Sequence, residues 1–275
     1  MVAYASVDDV SVTDPRDARI ADYRGVGDGE LMRSRGLFVA EGRLVVERLL
    51  EDHRYHVRSV LVNPASRAAL DEVLSRRLGP RAPTVYVAPT EAFAAIAGVD
   101  FHRGCLALAE RPAAAAVGPL LSASSLIVVL EAVTNADNVG GVFRNAAAFG
   151  VDAVLLSPTC CDPLYRKAIR TSMGAALRVP FGRMSDWPAS LRSLKDAGLS
   201  VVALTPRRWS LTLEEYMAAR TASRIALVVG TEGPGMSREA EALADHRVSI
   251  PMKSDVDSLN LAVAVGIALS RLTGR

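Results

Sequence analysis

Residues 126–156 read LIVVLEAVTNADNVGGVFRNAAAFGVDAVLL and contain the pattern that decides the fold. An unbroken apolar run at 126–130 is followed by a helix-like segment at 139–149 and by a second apolar run, Ala153–Leu156. Runs of Val, Ile and Leu without polar alternation are typical of strands buried on both faces. The order strand, helix, strand therefore predicts an α/β fold with a parallel sheet covered by helices.

The same alternation continues towards the C-terminus. Further strands are predicted at Ser200–Leu204, 225–229 and 248–250, and a last helix at 258–272. Ligands of open parallel sheets bind beyond the carboxyl ends of the strands. The loops that follow these strands are therefore where we expect functional residues.

An N-terminal region precedes this sheet. Its apolar-periodic run at 44–50 and its short strands at Val57–Val62 and Thr84–Val87 indicate a small α/β sandwich. Residues 111–123 begin RPAAAAVGP and are predicted to be a linker, because Pro and Gly bound a stretch without useful periodicity. We therefore predict one domain at 1–110 and a second at 124–275.

The charge of the chain is nearly balanced, with 32 basic and 30 acidic residues and a formal net charge of +2. This balance excludes the strong overall positive charge typical of many nucleic-acid-binding proteins. Any nucleic-acid-binding site must therefore be a local patch. Residues after 110 carry a basic excess of 18 to 14. Within them, Arg166, Lys167 and Arg170 belong to an acid-free stretch between Asp162 and Asp186, which is either a solvated helix face or a phosphate-binding surface.

Three cysteines without C-x-x-C spacing and four scattered histidines predict no metal site and a reduced, cytoplasmic protein. Asp8 and Asp9 interrupt the N-terminus before any apolar run, which argues against a signal peptide. The most apolar stretch, 259–269, is too short to cross a bilayer. We expect no membrane partner.

The first functional loop and its helix, residues 135–150, read NADNVGGVFRNAAAFG. Asn138 is expected to cap the helix, and Gly140 and Gly141 permit close backbone approach. Arg144 follows on the first turns of the helix. It is either an edge residue that reaches solvent or a cation positioned at the mouth of the sheet.

The second loop, residues 229–237, reads VGTEGPGMS. It lacks the Lys-Ser/Thr ending of a P-loop and the G-x-G-x-x-G spacing of a dinucleotide fold, which disfavours a dehydrogenase. The loop either presents backbone to a flat ligand or forms a strand-to-helix turn that places Glu232 near a helix N-terminus.

The third loop, residues 250–260, reads IPMKSDVDSLN. Asp257 or Ser258 is the expected N-cap of the last helix. Asn260 would enter an otherwise apolar helix, where a buried amide needs a ligand or a facing loop as its partner.

Taken together, these loops resemble a known family. The segments Asn138-x-Gly140-x-x-x-Arg144, Gly230-Thr231-Glu232-Gly233-x-Gly235, and Ile250-Pro251-Met252 followed by Ser258-Leu259-Asn260 resemble the three motifs of the SpoU/TrmH RNA ribose 2′-O-methyltransferases. The resemblance extends from about residue 124 to the C-terminus. Residues 36–42 and 101–104 resemble the ends of that family's ribosomal-protein-like RNA-recognition domain, and Asn145 stands where threonine is common.

This resemblance implies a sheet with a deep trefoil knot and a homodimer that methylates a ribose 2′-hydroxyl of RNA with S-adenosylmethionine as cofactor. A separate recognition domain favours ribosomal RNA over tRNA. A tRNA 2′-O-methyltransferase and a non-enzymatic RNA-binding or ribosome-assembly factor are the alternatives. The implied cofactor contacts are Thr205, Gly230, Ile250, Met252 and Leu259, and the implied catalytic set is Arg144, Asn138, Glu232, Ser258 and Asn260.

The residues themselves also favour the dimer. The last helix is apolar on nearly every face, so it must be covered on all sides. A second copy of the chain would supply that cover.

Overall fold

The computed structural model describes residues 9–24, 27–77, 79–80, 82–97, 104–207, 209–253 and 258–274. The chain divides into two compact units. Unit 1 comprises Met1–Ala113 and Leu164–Gly174, and unit 2 comprises Ala114–Pro163 and Ala175–Arg275. The division at 113/114 falls inside the predicted linker, but that linker is not free of structure, because helix α6 occupies Val117–Ala123.

Unit 1 contains a five-stranded sheet in the order β1-β4-β3-β5-β2. Strand β5 pairs antiparallel with both β2 and β3, while β4 pairs parallel with β1 and β3. The strands are β1 (Asp9–Ser11), β2 (Leu37–Glu41), β3 (Val57–Val62), β4 (Thr84–Val87) and β5 (Cys105–Glu110). The helices are a 3-10 helix (Ala18–Tyr23), α1 (Asp28–Arg35), α2 (Arg43–Glu51), α3 (Pro64–Ala69), α4 (Asp71–Ser75), α5 (Ala92–Ala97) and α8 (Arg166–Thr171).

Unit 2 contains a seven-stranded sheet in the order β10-β12-β9-β11-β6-β7-β8, and each of these pairings is parallel. The strands are β6 (Leu126–Glu131), β7 (Ala153–Leu156), β8 (Phe181–Arg183), β9 (Ser200–Leu204), β10 (Leu211–Thr212), β11 (Ile225–Gly230) and β12 (His246–Ser249). Besides α6, the helices are α7 (Ala136–Phe149), α9 (Ala175–Arg178), α10 (Leu191–Asp196), α11 (Leu213–Ala219), α12 (Arg238–Leu243) and α13 (Leu261–Thr273).

The predicted α/β class with a parallel sheet is confirmed. The side chains of β6 from Ile127 to Leu130 are 0% exposed, as expected for a strand covered on both faces. The order β12-β9-β11-β6 brings four strand ends side by side, so the loops after them meet at one edge of the sheet. The trefoil knot stays a prediction.

Helix α7 begins three residues earlier than predicted. Asn135, and not Asn138, is its N-cap, and the Asn135 side chain accepts a hydrogen bond from the Asp137 amide at 2.8 Å. Both asparagines can cap, but only Asn135 lies ahead of the first helical residue. Asn138 is instead buried within the helix, with 4% of its surface exposed.

Helix α13 also has an unexpected N-cap. The Asn260 side-chain oxygen accepts from the amides of Ala262 and Val263 at 3.0 and 3.3 Å, so the predicted cap Ser258 lies two residues outside the cap position. The other predicted cap, Asp257, lies outside the described residues, as do residues 101–103 of the N-terminal resemblance.

Helices α7 and α13 pack closely because small residues meet between them. A Cβ on Gly141 would lie 2.5 Å from the Ala262 Cβ, and one on Gly266 would lie 3.1 Å from the Asn145 Nδ2. The Asn145 amide donates to the Ala262 carbonyl at 2.6 Å. The asparagine that departs from the family pattern therefore ties the two helices together.

The segment Leu164–Gly174 was expected in the C-terminal domain, yet it packs with unit 1. The Arg166 amide donates to Asp28 Oδ2 at 2.8 Å, and Arg170 pairs with Glu41 at 3.1 Å. Arg48 donates to the Met173 carbonyl. These contacts join residues more than a hundred positions apart, which periodicity along the chain cannot reveal.

Within the described ranges, no helix is both long enough and apolar enough to cross a bilayer.

Candidate active site

A cavity of about 320 Å³ lies where the loops after β9, β11 and β12 meet the start of α13. Small-molecule sites typically have volumes of about 300–1,000 Å³. All five residues predicted to contact the cofactor line this cavity: Thr205, Gly230, Ile250, Met252 and Leu259. Apolar side chains stand beside glycine backbone and a few polar groups, so the cavity fits a ligand with both a flat apolar part and polar ends.

Gly230 is required by the loop itself. A Cβ at this position would lie 2.3 Å from the Gly235 carbonyl carbon and 2.3 Å from the Met236 nitrogen. The loop folds back because the Gly235 amide donates to the Thr231 carbonyl at 3.1 Å. Gly233 and Gly235 have positive φ angles of 82° and 73°, which glycine adopts without strain. The glycines therefore shape the cavity wall by closing a tight turn.

Three of the five predicted catalytic residues form a polar cluster next to the cavity. The Asn260 Nδ2 donates to Asn138 Oδ1 at 2.9 Å and to Glu232 Oε1 at 3.0 Å. Glu232 Oε1 also accepts from the Leu261 amide at 3.4 Å, which places a carboxylate at the N-terminus of α13. Asn260 is exposed and not buried, but the facing loop does supply its partner, as expected.

Ser258 and Glu232 line the cavity directly, while Asn138 and Asn260 are not on its wall. The Asn138–Asn260–Glu232 cluster therefore connects α7, the loop at residues 230–236 (the glycine loop) and α13 at one side of the cavity.

The structure separates Arg144 from this cluster. It is the ninth residue of α7, on the third turn, and the helix carries it about 9 Å along the axis from Asn138. Its side chain is exposed and does not line the cavity. Across the described part of the chain, no hydrogen bond or ion pair involves Arg144. Its guanidinium group is therefore free to meet a group from outside this chain.

Two buried carboxylates at the site were missed by sequence reasoning. Glu131, at the end of β6 and 5% exposed, accepts from Trp187 Nε1 at 2.7 Å and from the Ser237 amide and hydroxyl at 2.9 and 2.6 Å. Ser237 is the N-cap of α12, so Glu131 ties the end of β6 to the end of the glycine loop. An acidic residue directly after an unbroken apolar strand is the signal that could have shown it.

The second carboxylate, Glu241 on α12, is 6% exposed and binds two residues that follow β9. Thr205 Oγ1 donates to its Oε1 at 3.0 Å, and Arg207 donates to its Oε2 at 3.0 Å. Arg207 also donates to the Met236 carbonyl at 3.1 Å. Arg207 thus joins the loop after β9 to the glycine loop on the cavity wall.

Some arginines of the acid-free basic stretch contact carboxylates and carbonyls of this chain. Arg166 and Arg170 lie beside carboxylates, as described above, and Arg183 donates to the carbonyls of Ser157, Pro158 and Cys160 at 2.9–3.1 Å. Burial raises the pKa of Asp28, the partner of Arg166. Lys167 and Arg170 keep exposed side chains.

The comparisons with known proteins identify the family. Residues 125–270 match the model of the SpoU rRNA methylase family. An uncharacterized tRNA/rRNA methyltransferase of Mycobacterium bovis is 40% identical over 266 residues, which cover 95% of this chain and 91% of the relative. The chain belongs to the SpoU rRNA methylase family. The predicted class of enzyme, a SpoU/TrmH RNA methyltransferase, is confirmed.

A further relative of this SpoU methyltransferase is the 23S rRNA (guanosine-2′-O-)-methyltransferase RlmB of Vibrio vulnificus. It is 36% identical over 147 residues, which cover 54% of this chain and 58% of RlmB.

Solved structures confirm the SpoU fold over nearly the whole chain. The AdoMet-bound rRNA methyltransferase of Sinorhizobium meliloti has a TM-score of 0.82 at 23% identity and covers 96% of this chain and 97% of that one. The SpoU methyltransferase AviRb of Streptomyces viridochromogenes has a TM-score of 0.76 at 19% identity, with 94% and 97% covered. The predicted cofactor of the family, S-adenosylmethionine, is confirmed, and AdoMet is bound in structures of both neighbours.

Proposed function

We propose that this SpoU methyltransferase transfers a methyl group to the 2′-oxygen of a ribose in RNA, with ribosomal RNA as its substrate. The observation that carries the proposal is the Asn138–Asn260–Glu232 cluster beside the cavity that contains the predicted cofactor contacts. The name of the RlmB relative, a guanosine-2′-O-methyltransferase of 23S rRNA, supports the ribose oxygen as acceptor. The mycobacterial relative is named for tRNA and rRNA alike, so tRNA is the second candidate substrate.

Bound S-adenosylmethionine would supply an electrophilic sulfonium methyl group. We assign its contacts to Thr205, Gly230, Ile250, Met252 and Leu259, which line the cavity. Glu131 and Glu241 bind residues of the loops that carry these contacts, so they hold the cavity wall in place.

Arg144 is proposed to stabilise negative charge on the ribose oxygen as the hydroxyl proton passes to solvent water. A guanidinium group stays protonated at physiological pH, so it acts by charge and hydrogen bonding and not as a proton acceptor. Asn138, Glu232, Ser258 and Asn260 shape the surface that receives the ribose. The Arg144 side chain is exposed and does not line this chain's cavity, so its proposed role requires an RNA or a second copy of the chain that brings the ribose to it.

The N-terminal region, residues 1–110, is proposed as the RNA-recognition domain, joined through 111–123 to a methyltransferase domain at 124–275. The segment that contains Arg166, Lys167 and Arg170 packs with unit 1. We propose that these three residues contact phosphates of the RNA. No disulfide joins Cys105, Cys160 and Cys161, which agrees with a cytoplasmic RNA substrate.

Mapping of ribose methylation tests the proposed activity. Purified protein, labelled S-adenosylmethionine and total RNA from cells that lack the protein should give label at one or a few 2′-oxygens, which become resistant to alkaline cleavage. Label on a base would contradict the ribose assignment. Binding of S-adenosylmethionine by calorimetry without any transfer would instead favour the non-enzymatic RNA-binding factor.

We further propose a homodimer formed through α13. Val263 and Ile267 on this helix are 52% and 37% exposed, although large apolar side chains are normally covered. Light scattering should give twice the 29.2 kDa chain mass, and Val263→Asp should shift the mass to one chain because a buried charge is costly. Leu44→Asp, at a residue 42% exposed in unit 1, is the matched control and should remain dimeric. A stable monomer of the unaltered protein across a dilution series would reject the dimer.

A further inference from the structure

Trp209 stands out on the surface of unit 2. Its side chain is 99% exposed, whereas the other large exposed apolar side chains among the described residues are 37–52% exposed. An indole ring offers about 150–250 Å² of apolar area, and leaving it in water is unfavourable. A ligand that stacks on this ring would cover a large apolar area.

The backbone at Trp209 is unusual. Trp209 has a φ of 73°, in the left-handed region that a bulky side chain rarely adopts. The residues on both sides are anchored. Ser210 Oγ donates to the Arg207 carbonyl at 2.8 Å, and Thr212 forms a capping box with Glu215 at the start of α11. Strained backbone of this kind is common at binding sites.

The position of the ring relates it to the cofactor cavity. Arg207 lines that cavity and is tied to Glu241 and to the Met236 carbonyl. Two residues of chain span at most about 7 Å, so the Trp209 backbone lies within that distance of the Arg207 backbone on the cavity wall. In the local sequence, Arg207-Arg208-Trp209-Ser210, two arginines precede the ring, and the charge of Arg207 is paired with Glu241.

We propose that Trp209 stacks on an RNA base next to the ribose that is methylated. This inference rests on the proposed RNA substrate. Single-stranded RNA is recognised by aromatic rings that stack on unpaired bases, with arginines that neutralise the neighbouring phosphates. A ribose that enters the cavity rim leaves its own base or a neighbouring base unstacked. Trp209 provides the replacement surface.

The test measures methyl transfer to total RNA from cells that lack the protein. Trp209→Ala should raise the apparent KM for RNA at least about fivefold, because stacking contributes affinity on this scale, with kcat within twofold. Trp209→Phe keeps an aromatic face and should stay within about twofold of the unaltered KM. Leu211→Ala, at an exposed apolar residue two positions away, is the matched control and should not change KM.

Fluorescence gives an independent readout, since the chain has two tryptophans, Trp187 and Trp209. The same RNA should quench the emission of the unaltered protein, and most of this quenching should be lost in Trp209→Phe. The affinity for S-adenosylmethionine and the light-scattering mass should be the same in all variants.

An unchanged KM in Trp209→Ala, or quenching that persists in Trp209→Phe, would overturn the inference. A loss of the dimer in Trp209→Ala would also overturn it, by assigning the ring to a second copy of the chain. These results leave the proposed function intact. No transfer by the unaltered protein would overturn the proposed function and this inference with it.

Discussion

Gly230→Ala is expected to weaken the binding of S-adenosylmethionine at least about tenfold and to lower the free energy of unfolding by about 1–3 kcal/mol. The added Cβ would lie 2.3 Å from two backbone atoms, the Gly235 carbonyl carbon and the Met236 nitrogen. Backbone atoms cannot rotate away as a side chain does, so residues 231–236 must move. These residues form part of the cavity wall, and their displacement changes the shape that the cofactor meets.

Calorimetry with S-adenosylmethionine and thermal unfolding measure the two effects. Gly118→Ala in α6 is the matched control, since a Cβ there has no neighbour within 4 Å. This control should bind the cofactor normally and unfold at an unchanged or slightly higher temperature, because alanine favours a helix more than glycine does. Normal affinity in Gly230→Ala would show that the loop tolerates the displacement and that its closed turn does not shape the site.

Arg144→Ala is expected to lower kcat by about 100- to 1,000-fold, the usual cost of removing a donor to a developing oxyanion. Arg144→Lys keeps the charge but loses the planar pair of donors, so kcat should remain reduced. Stability and cofactor affinity should not change in either variant. The side chain is exposed, and it does not line the cavity.

Single-turnover methyl transfer to RNA provides the measurement, with calorimetry to confirm cofactor binding. Arg192→Ala removes another exposed arginine from a helix of the same unit and should leave kcat unchanged. Near-normal kcat in Arg144→Lys would argue against a role for the guanidinium group at the ribose oxygen.

The caps of α7 and α13 show where sequence reasoning reaches its limit. Each helix has several candidate capping residues within a few positions, and their intrinsic preferences are nearly equal. Asn138 and Ser258 were predicted, yet Asn135 and Asn260 cap. The choice depends on tertiary contacts. Asn138 is buried and its side chain is taken by Asn260, so it is not available as a cap.

Long-range charge pairing sets a second limit. Arg166, Lys167 and Arg170 form a basic stretch in sequence. Arg166 and Arg170 contact carboxylates more than 120 residues earlier, at Asp28 and Glu41. Sequence reasoning also missed Glu131 and Glu241, because an acidic residue after a strand or in a short helix is usually solvated. Only the fold brings Trp187 and Ser237 to Glu131. Likewise, only the fold brings Thr205 and Arg207 to Glu241.

The sequence by itself determined the parallel sheet and the loops that form the cavity. Continuous apolar strands must be buried on both faces, and parallel strands place their following loops at one edge. Only the tertiary structure decided which polar groups pair, that Leu164–Gly174 packs with unit 1, and that Arg144 and Trp209 face solvent. Strand burial is encoded in neighbouring residues, whereas these pairings and exposures depend on segments that are distant along the chain.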